Sequence, residues 1–382
     1  MKKLTILPPI LLVLLVFVRF LMSDEQKQFT EESNVSTITL SIVGDIMCHS
    51  PQYEFAQVGE DSFDFNPVFR MIKGKLSESD FTFGNLETVT AGKNAKYSGY
   101  PNFNTPAQLL DALREAGFDL LTSANNHSLD RGESGILKTI EEMKARHIKY
   151  NGTFTNQSDR DSVRIFNIKG ISIAFLAYSY GTNGNTFPKG KSYLLNLIDF
   201  DLIKKDIEKA KSQKPDLVLI HYHFGDEYQR EPNLFQKEVV AKSIAMGADI
   251  IIGGHPHVLQ PFQFLKSTNG NLDSVFIAYS LGNFISNQRK RYTDAGGILT
   301  LEIKKNTLDN KTRISKVKFT PTWVFKGRTA AKNEFVIVPS ITAQNDNSIL
   351  QYLKHKDLKK LEQSITDSKS ILTKYNTTIS FN

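Results

Sequence analysis

The chain has 382 residues, of which 40% are hydrophobic and 23% charged, and its net charge of +7 comes mostly from lysines scattered along its length. These proportions exclude a collagen-like, low-complexity or wholly disordered chain, and the length fits one large domain with elaborations or two closely packed domains. The single cysteine, Cys48, excludes an internal disulfide and a cysteine-based zinc or iron–sulfur site, so any bound metal must use His, Asp, Glu or Asn side chains.

The N-terminal residues 1–22 have the pattern of an export signal. Lys2 and Lys3 precede an apolar stretch from Leu4 to Val18, and basic residues before an apolar segment stay in the cytoplasm. No small-x-small cleavage site or lipid-bearing cysteine follows, which favours an uncleaved signal anchor. The apolar run is short for a membrane span, so a cleaved signal peptide is the alternative. Both predict an extracytoplasmic location for the bulk of the chain, at the cell membrane as a single-pass protein if the anchor is kept, with residues 23–36 as a polar linker.

Six short apolar stretches, each followed by polar side chains, predict β-strands. The first alternates apolar and polar residues and ends at Gly44-Asp45. The six stretches are residues 37–43, 80–83, 118–122, 216–220, 248–252 and 274–279. Residues 163–177 predict an antiparallel pair that turns at Lys169-Gly170, and residues 297–319 predict further strands.

Helical patterns lie between these strands, over residues 105–117, 132–146, 197–211 and 232–246. Alternating strands and helices predict a layered α/β fold with a mixed sheet, in which ligands collect beyond the C-terminal ends of the strands. The segment 339–382 is rich in Lys, Gln, Asn and Ser with a helical Leu/Ile pattern, and it predicts an appended helical tail.

Histidine is concentrated at the predicted strand ends. The chain has eight histidines, and five of them lie in three strand-end motifs: His127, His221, His223, His255 and His257. Imidazole and carboxylate groups are the usual ligands of zinc, manganese or iron where thiolate is absent. One set of side chains would offer enough donors for two adjacent divalent metal ions, and it comprises Asp45, Glu87, Asn126, His223, His255 and His257. Two metals can activate a water molecule and neutralise charge on a phosphate or carbonyl under attack.

The motifs differ in how specifically they indicate a site. Gly44-Asp45 alone is more typical of a turn with a capping aspartate, and the segment ending at Glu87 is equally ambiguous. His255-Pro256-His257 is the strongest motif, because the proline stiffens the backbone between two imidazoles. His221 and His223 share a strand face, but a strand ending between them would aim only one at the site, and we favour His223.

Six motifs in this order resemble the CapA family of poly-γ-glutamate capsule biosynthesis proteins, a branch of the calcineurin-like metallophosphatase superfamily. The resemblance covers residues 38–301. Its motifs are Gly44-Asp45-Ile46-Met47, Asn85-Leu86-Glu87, residues 124–132, residues 223–228, residues 255–261 and residues 279–284.

The resemblance implies a metallophosphatase-like layered αββα sandwich with mixed sheets, over residues 37–338. It also implies roles for site residues: metal ligands at the six positions given above, with Glu87 where the superfamily has a bridging aspartate. His127 would be the proton donor or transition-state stabiliser. Glu227 would be a catalytic residue that contacts either the substrate or a side chain that binds the metal. One departure matters: the superfamily's first motif is Asp-x-His, whereas Met47 stands at the third position here, so one metal site would be weakened, differently built or empty.

Three functions follow from these observations. The first is an extracytoplasmic, membrane-anchored protein of poly-γ-glutamate capsule synthesis or export, whose partners would be the anionic polymer and membrane-embedded capsule synthase subunits, with no nucleic acid. The second is a secreted two-metal hydrolase of a phosphoester or amide bond. The third is a non-catalytic polymer-binding scaffold. The basic surface suits a polyanion or an anionic membrane but is more typical of ordinary solvated lysines.

Overall fold

A computed structural model describes residues 34–330 and 332–382. The predicted signal segment 1–22 and all but the end of the predicted linker 23–36 lie outside the described residues. Among the described residues, no helix is both long enough and apolar enough to cross a bilayer.

The described residues form fifteen strands. In chain order they are β1 (Val35–Ile46), β2 (Phe81–Leu86), β3 (Leu120–Thr122), β4 (Lys149–Asn151), β5 (Arg164–Ile168), β6 (Ile171–Ser179), β7 (Leu217–His223), β8 (Ile250–Gly254), β9 (Phe262–Lys266), β10 (Ser274–Ala278), β11 (Asn283–Ile285), β12 (Ala295–Asn306), β13 (Thr312–Arg328), β14 (Asn333–Pro339) and β15 (Ser380–Phe381).

The α-helices of the described part alternate with these strands. They are α1 (Ser50–Ala56), α2 (Asn66–Phe69), α3 (Lys73–Ser77), α4 (Gln108–Glu115), α5 (Gly132–Ala145), α6 (Gln157–Asp161), α7 (Phe200–Ser212), α8 (Leu234–Met246), α9 (Asn347–Leu350) and α10 (His355–Leu372). Short 3-10 turns occur at Lys93–Ala95, Ser192–Leu194 and Thr342–Asn345.

The strands form two mixed sheets. The first has nine strands in the order β14-β13-β12-β1-β2-β3-β4, with β11 beside β1 and β15 beside β13. Strands β1 to β4 are parallel, whereas β12, β13 and β14 are antiparallel. The second sheet has the order β5-β6-β7-β8-β10-β9, with a parallel centre and antiparallel edge strands. The prediction of an α/β fold with mixed sheets is therefore confirmed.

The apolar core lies in three layers. Leu40 of β1 and Leu219 of β7 belong to one buried cluster between the two sheets. Helices α4 and α5 bury apolar side chains such as Ile140 on the outer side of the first sheet, and α7 and α8 bury Ile207 and Val240 on the outer side of the second. The order of layers is helix, sheet, sheet, helix, and burial of these apolar faces provides the main driving force for folding.

Two helices begin three residues later than the sequence pattern predicts. The hydroxyl of Thr105 is 2.7 Å from that of Thr88 rather than capping the helix that follows, and α4 starts only at Gln108. Helix α7 starts at Phe200 because the Asp199 carboxylate accepts a 2.8 Å hydrogen bond from the Leu202 N–H and so caps the first turn.

The C-terminal segment is more closely integrated than an appended tail would be. It contains the predicted helix, α10, but Leu361 and Leu372 of that helix are buried in two of the core clusters. The chain then adds β15 to the first sheet, where Phe381 pairs with Phe319 of β13. Residues 339–382 therefore complete the first sheet and part of its core.

Candidate metal centre

The predicted site residues come together because parallel strands from both sheets end at the same place. Asp45 near the end of β1 is opposite Asn85 of β2, and His223, the last residue of β7, is opposite Gly254 of β8. Glu87 directly follows β2. Asp45, Glu87 and His223 are completely buried.

Asp45 organises the centre of the site. Its carboxylate accepts hydrogen bonds from the Asn85 side-chain amide at 2.8 Å and from the His255 backbone N–H at 3.1 Å. The Nδ1 atom of His257 lies 3.2 Å from the second carboxylate oxygen. One aspartate thus links the first sheet to the loop that follows β8.

The end of β8 and the loop that follows it pack closely against the Asp45 carboxylate. A Cβ atom on Gly254 would lie 2.6 Å from an Asp45 carboxylate oxygen, so only glycine lets that carboxylate sit against the backbone. His255 and His257 have φ values of 95° and 57°, in the left-handed region that non-glycine residues rarely adopt. This costs energy and aims both imidazoles at the buried carboxylates.

The buried Glu87 carboxylate indicates where a cation fits. Within residues 34–330 and 332–382, neither of its oxygens has a hydrogen-bond partner, and Nδ1 of the buried His255 also has none. An ionised carboxylate without a partner is costly to bury. Its oxygen Oε1 lies 3.4 Å from His223 Nε2 and 3.8 Å from His257 Nε2, which are distances at which a metal ion could sit between the groups.

In the part of the chain that the structure describes, three overlapping groups of donor atoms could each hold a metal ion. In every group the donor atoms lie within 4.8 Å of one another, and the groups are Glu87/His223/His255, Asp45/Glu87/His257 and Glu227/His255/His257. Glu87 belongs to the first two groups, so it could bridge two adjacent ions. The donor set of imidazole and carboxylate suits zinc, manganese or iron.

Burial sets the protonation of the ligand histidines. It lowers the pKa of His223 to about 3 and that of His255 to about 2, so both are neutral at pH 7 and can offer a lone pair to a metal. Burial opposes ionisation of His257 too, but the charge of Glu87 and the hydrogen bond to Asp45 raise its pKa. Burial and then the charge of Asp45 raise the pKa of Glu87.

Asp45 remains ionised in this environment. Burial would raise its pKa, but the hydrogen bond from His257 and the charges of His223 and His257 hold it well below its usual range. The raised pKa values of Glu87 and His257 mean that the centre binds protons in the absence of metal, and a cation would replace those protons.

Asn126 lies beside the first donor group. Its Oδ1 atom is 2.7 Å from His223 Nε2, and its Nδ2 donates to the Asn183 side chain at 3.0 Å. The second contact orients the amide so that its oxygen faces the imidazole. An ion held by Glu87 and His223 would therefore be within reach of the Asn126 oxygen.

His127 and Asp130 form a buried pair next to the centre. Nδ1 of His127 lies 2.8 Å from Asp130 Oδ2, and the ring packs edge-on against Phe103, with ring centres 4.7 Å apart. These contacts fix the ring and leave Nε2 as its free nitrogen. The arrangement suits an imidazole that transfers a proton.

The two remaining candidates, Glu227 and His221, differ in their burial and in whether they join a donor group. Glu227, a predicted catalytic residue, is exposed in the loop after β7, yet its carboxylate belongs to the third donor group. His221 is buried 3.5 Å from the Thr122 hydroxyl and lies outside the three groups, in keeping with the preference for His223.

Sequence reasoning missed three residues of the site. Asn85 donates to Asp45, lies 3.2 Å from His223 Nδ1, and accepts a 3.1 Å hydrogen bond from Asn125. Tyr180, which is 40% exposed, lies with its ring centre 4.4 Å from that of His255. Asp130 is the third. Its position three residues after His127, within a turn, was the one feature of the sequence that could have indicated their contact.

Comparisons with known proteins identify relatives of this chain. It is 29% identical over 313 residues to the capsule biosynthesis protein CapA of Bacillus anthracis. This alignment covers 80% of this chain and 73% of that protein. It is 31% identical over 274 residues to the PGA biosynthesis protein CapA of Bacillus subtilis. This alignment covers 70% of this chain and 68% of that protein.

Solved structures give weaker matches. The NAD nucleotidase NadN of Haemophilus influenzae is 14% identical with a TM-score of 0.47, and the match covers 91% of this chain and 64% of that one, so this chain spans less than two thirds of its length. The calcineurin-like phosphoesterase YfkN of Bacillus subtilis is 15% identical with a TM-score of 0.42, over 88% of this chain and 98% of that one.

The family comparison covers the part of the chain that carries the site. The model described as bacterial capsule synthesis protein PGA_cap matches residues 39–288, about two thirds of the 382 residues. That range includes every candidate metal ligand from Asp45 to His257. The chain belongs to the PGA_cap family of bacterial capsule synthesis proteins.

Proposed function

We propose that this chain is a metal-dependent hydrolase that acts on a phosphoester or amide bond during the synthesis or export of a poly-γ-glutamate capsule. The capsule role is supported by membership of the PGA_cap family and by relatives named for capsule and PGA biosynthesis. The hydrolytic role is supported by the site.

One observation carries the hydrolytic role. The completely buried Glu87 carboxylate has no hydrogen-bond partner, although three histidines and a second carboxylate surround it. Such a group is stable only when paired with a cation or protonated. A divalent ion held by these donors accounts for the burial and for the strained backbone of His255 and His257.

The residues of the site divide the chemistry between them. When bound, two divalent ions would supply an activated water and would neutralise charge on the attacked group. Asp45, Glu87 and His257 would hold one position, and Glu87, Asn126, His223 and His255 the other. Asn85 keeps Asp45 and His223 in place through its 2.8 Å and 3.2 Å contacts.

His127 is the proton donor in this proposal. Its ring is fixed by Asp130 and Phe103, and it lies close enough to Glu87 and His223 for its charge to influence their pKa values. A proton on His127 Nε2 would pass to the leaving oxygen or nitrogen as the bond breaks. Asp130 would keep the ring in place through its 2.8 Å contact with Nδ1.

The proposed setting is the outer face of the cell membrane. Residues 1–22 would anchor the chain, and the folded part would meet the growing anionic polymer and the membrane-embedded capsule synthase subunits. The net charge of +7 supports contact with a polyanion.

The first test is the metal content of the purified full-length chain, measured by elemental analysis. We expect about two transition-metal ions per chain, lost in a His255→Ala/His257→Ala double variant. His355→Ala, which removes an exposed histidine at the start of α10, is the control and should keep its metal. A folded, metal-free wild-type chain would contradict the hydrolytic role and leave the non-catalytic scaffold as the better hypothesis.

A second test separates the enzyme from the scaffold in cells. Deletion of the gene should abolish the capsular polymer, and the wild-type gene should restore it. A gene encoding His127→Ala should fail to restore normal polymer if the site is catalytic. Full restoration by that variant would favour a scaffold.

A further inference from the structure

The exposed carboxylate of Glu227 lies beside the two histidines that follow β8. One of its oxygens and a ring nitrogen from each of His255 and His257 are within 4.8 Å of one another. The other two donor groups consist entirely of buried residues, whereas Glu227 reaches the same histidines from the solvent side. It is therefore placed at the open face of the centre.

Contacts with its surroundings hold this loop in place. The Tyr228 N–H donates to the Pro256 carbonyl at 2.8 Å, which joins the residue after Glu227 directly to the His255-Pro256-His257 turn. The Gln260 side chain donates to the carbonyls of Gln229 and Glu231, at 2.9 Å and 3.2 Å. Glu227 thus stays near the histidines because its backbone is tied to theirs.

The loop also bends where it must to bring Glu227 inward. Gly225 has a φ of 109°, and a Cβ atom there would lie 2.6 Å from the Gln236 side chain. Tyr228 adopts a φ of 65°, a left-handed conformation that is unusual for an aromatic residue. Glu227 therefore lies between a glycine that the turn requires and a strained tyrosine, and backbone strain of the kind seen at Tyr228 concentrates at functional sites.

The two buried donor groups are unequal. Asn126 Oδ1 adds a fourth donor to Glu87, His223 and His255, whereas Asp45, Glu87 and His257 have no comparable neighbour among the groups described. Met47, two residues after Asp45, is buried but offers only a weakly binding thioether. A catalytic zinc ion is held by three protein ligands and keeps a further coordination position open, so this second position has room for one more donor.

We propose that Glu227 is a direct metal ligand that reaches the metal ion beside His257 from the open side. The inference rests on the proposed function, because it requires that the centre binds metal. It differs from a role in which Glu227 contacts only the substrate or another side chain. Because Glu227 is exposed, this metal position would be the more accessible of the two.

The test compares two variants that remove the same charge from the same loop. Glu227→Gln replaces the carboxylate with an amide of equal size. Asp226→Asn is the matched control, because Asp226 is also exposed and its carboxylate accepts a 2.9 Å hydrogen bond from Asn233 rather than facing the histidines. The number of Mn²⁺ ions bound per full-length chain and their dissociation constants would be measured by equilibrium dialysis against Mn²⁺ alone.

The expected result is that wild type and Asp226→Asn bind two ions, while Glu227→Gln keeps one ion and loses the second or binds it about tenfold or more weakly. Equal binding by the two variants would overturn the inference, even if Glu227→Gln had lost turnover, and would leave the proposed function standing. A wild-type chain that binds no Mn²⁺, with no other transition metal found on purification, would overturn both.

Discussion

Nδ1 of His127 lies 2.8 Å from Asp130 Oδ2, and the same oxygen accepts a 2.7 Å hydrogen bond from the Phe103 N–H. Both residues are almost completely buried. Because the backbone of Phe103 holds the carboxylate, the carboxylate in turn fixes the imidazole. The pair joins the turn after β3 to the segment before α4, so the proposed proton donor is held by two separate parts of the chain.

Removal of this pair should slow the reaction without releasing metal. His127→Ala should lower kcat by about 10²- to 10⁴-fold, the usual contribution of a general acid. Asp130→Asn should cause a smaller loss, because the imidazole remains but loses the carboxylate that fixes its orientation. Steady-state kinetics on the phosphoester or polyglutamate substrate that the wild type cleaves, together with elemental analysis, measure both effects. Unchanged kcat in a metal-loaded His127→Ala variant would exclude this role.

Metal removal should destabilise the protein through Glu87. An ion present at about 100 times its dissociation constant stabilises the native state by about 2.7 kcal/mol. Addition of a chelator should therefore lower the Tm of the wild type. Glu87→Gln removes the unpartnered buried charge, so its Tm should respond little to metal or chelator.

The thermal stabilities of the metal-free wild type and the metal-free Glu87→Gln variant test this explanation. Without metal, Glu87→Gln should be at least as stable as the wild type, because the amide is neutral, whereas Glu87 must take up a proton or stay buried as an unpartnered charge. Thermal unfolding followed by circular dichroism gives both values. If the metal-free variant unfolded well below the metal-free wild type, Glu87 would have a structural partner that the proposed site does not include.

Gly254 should be essential for the centre although it binds nothing itself. Gly254→Ala would place a Cβ atom 2.6 Å from an Asp45 oxygen, so the Asp45 carboxylate or the loop must move. We expect loss of metal and a lower Tm. Gly181→Ala is the control, since a Cβ atom there has no neighbour within 4 Å and the residue has no unusual φ. Wild-type metal content in Gly254→Ala would show that the close packing against Asp45 is dispensable.

The convergence of the candidate metal ligands was predictable from the sequence because parallel strands carry their C-terminal residues to one edge. Asp45 and His223 lie at the ends of their strands, and Glu87 and His255 directly follow theirs. The strand does not end between His221 and His223, because β7 runs through both, and of the two only His223 belongs to a donor group.

The supporting residues were less predictable, because their roles depend on neighbours distant in the chain. Asn85 is one more polar residue at a strand end until β1 and β7 bring Asp45 and His223 to it. The Glu227 carboxylate lies near His257 because a hydrogen bond from the Tyr228 N–H to the Pro256 carbonyl holds the two loops together. No local periodicity encodes either contact.

The C-terminal segment gives the last prediction, because its composition suggested an appendage while its packing shows an integral part of the fold. Leu372 of α10 is completely buried in the cluster between the sheets, whereas Leu358 of the same helix is 36% exposed. Leu372→Ala should lower the free energy of unfolding by about 2–5 kcal/mol, since it leaves a cavity in the core. Leu358→Ala, with the same change of side chain, should cost much less. Urea unfolding of the two variants tests this, and equal, small losses would mean that residues 339–382 are an appendage after all.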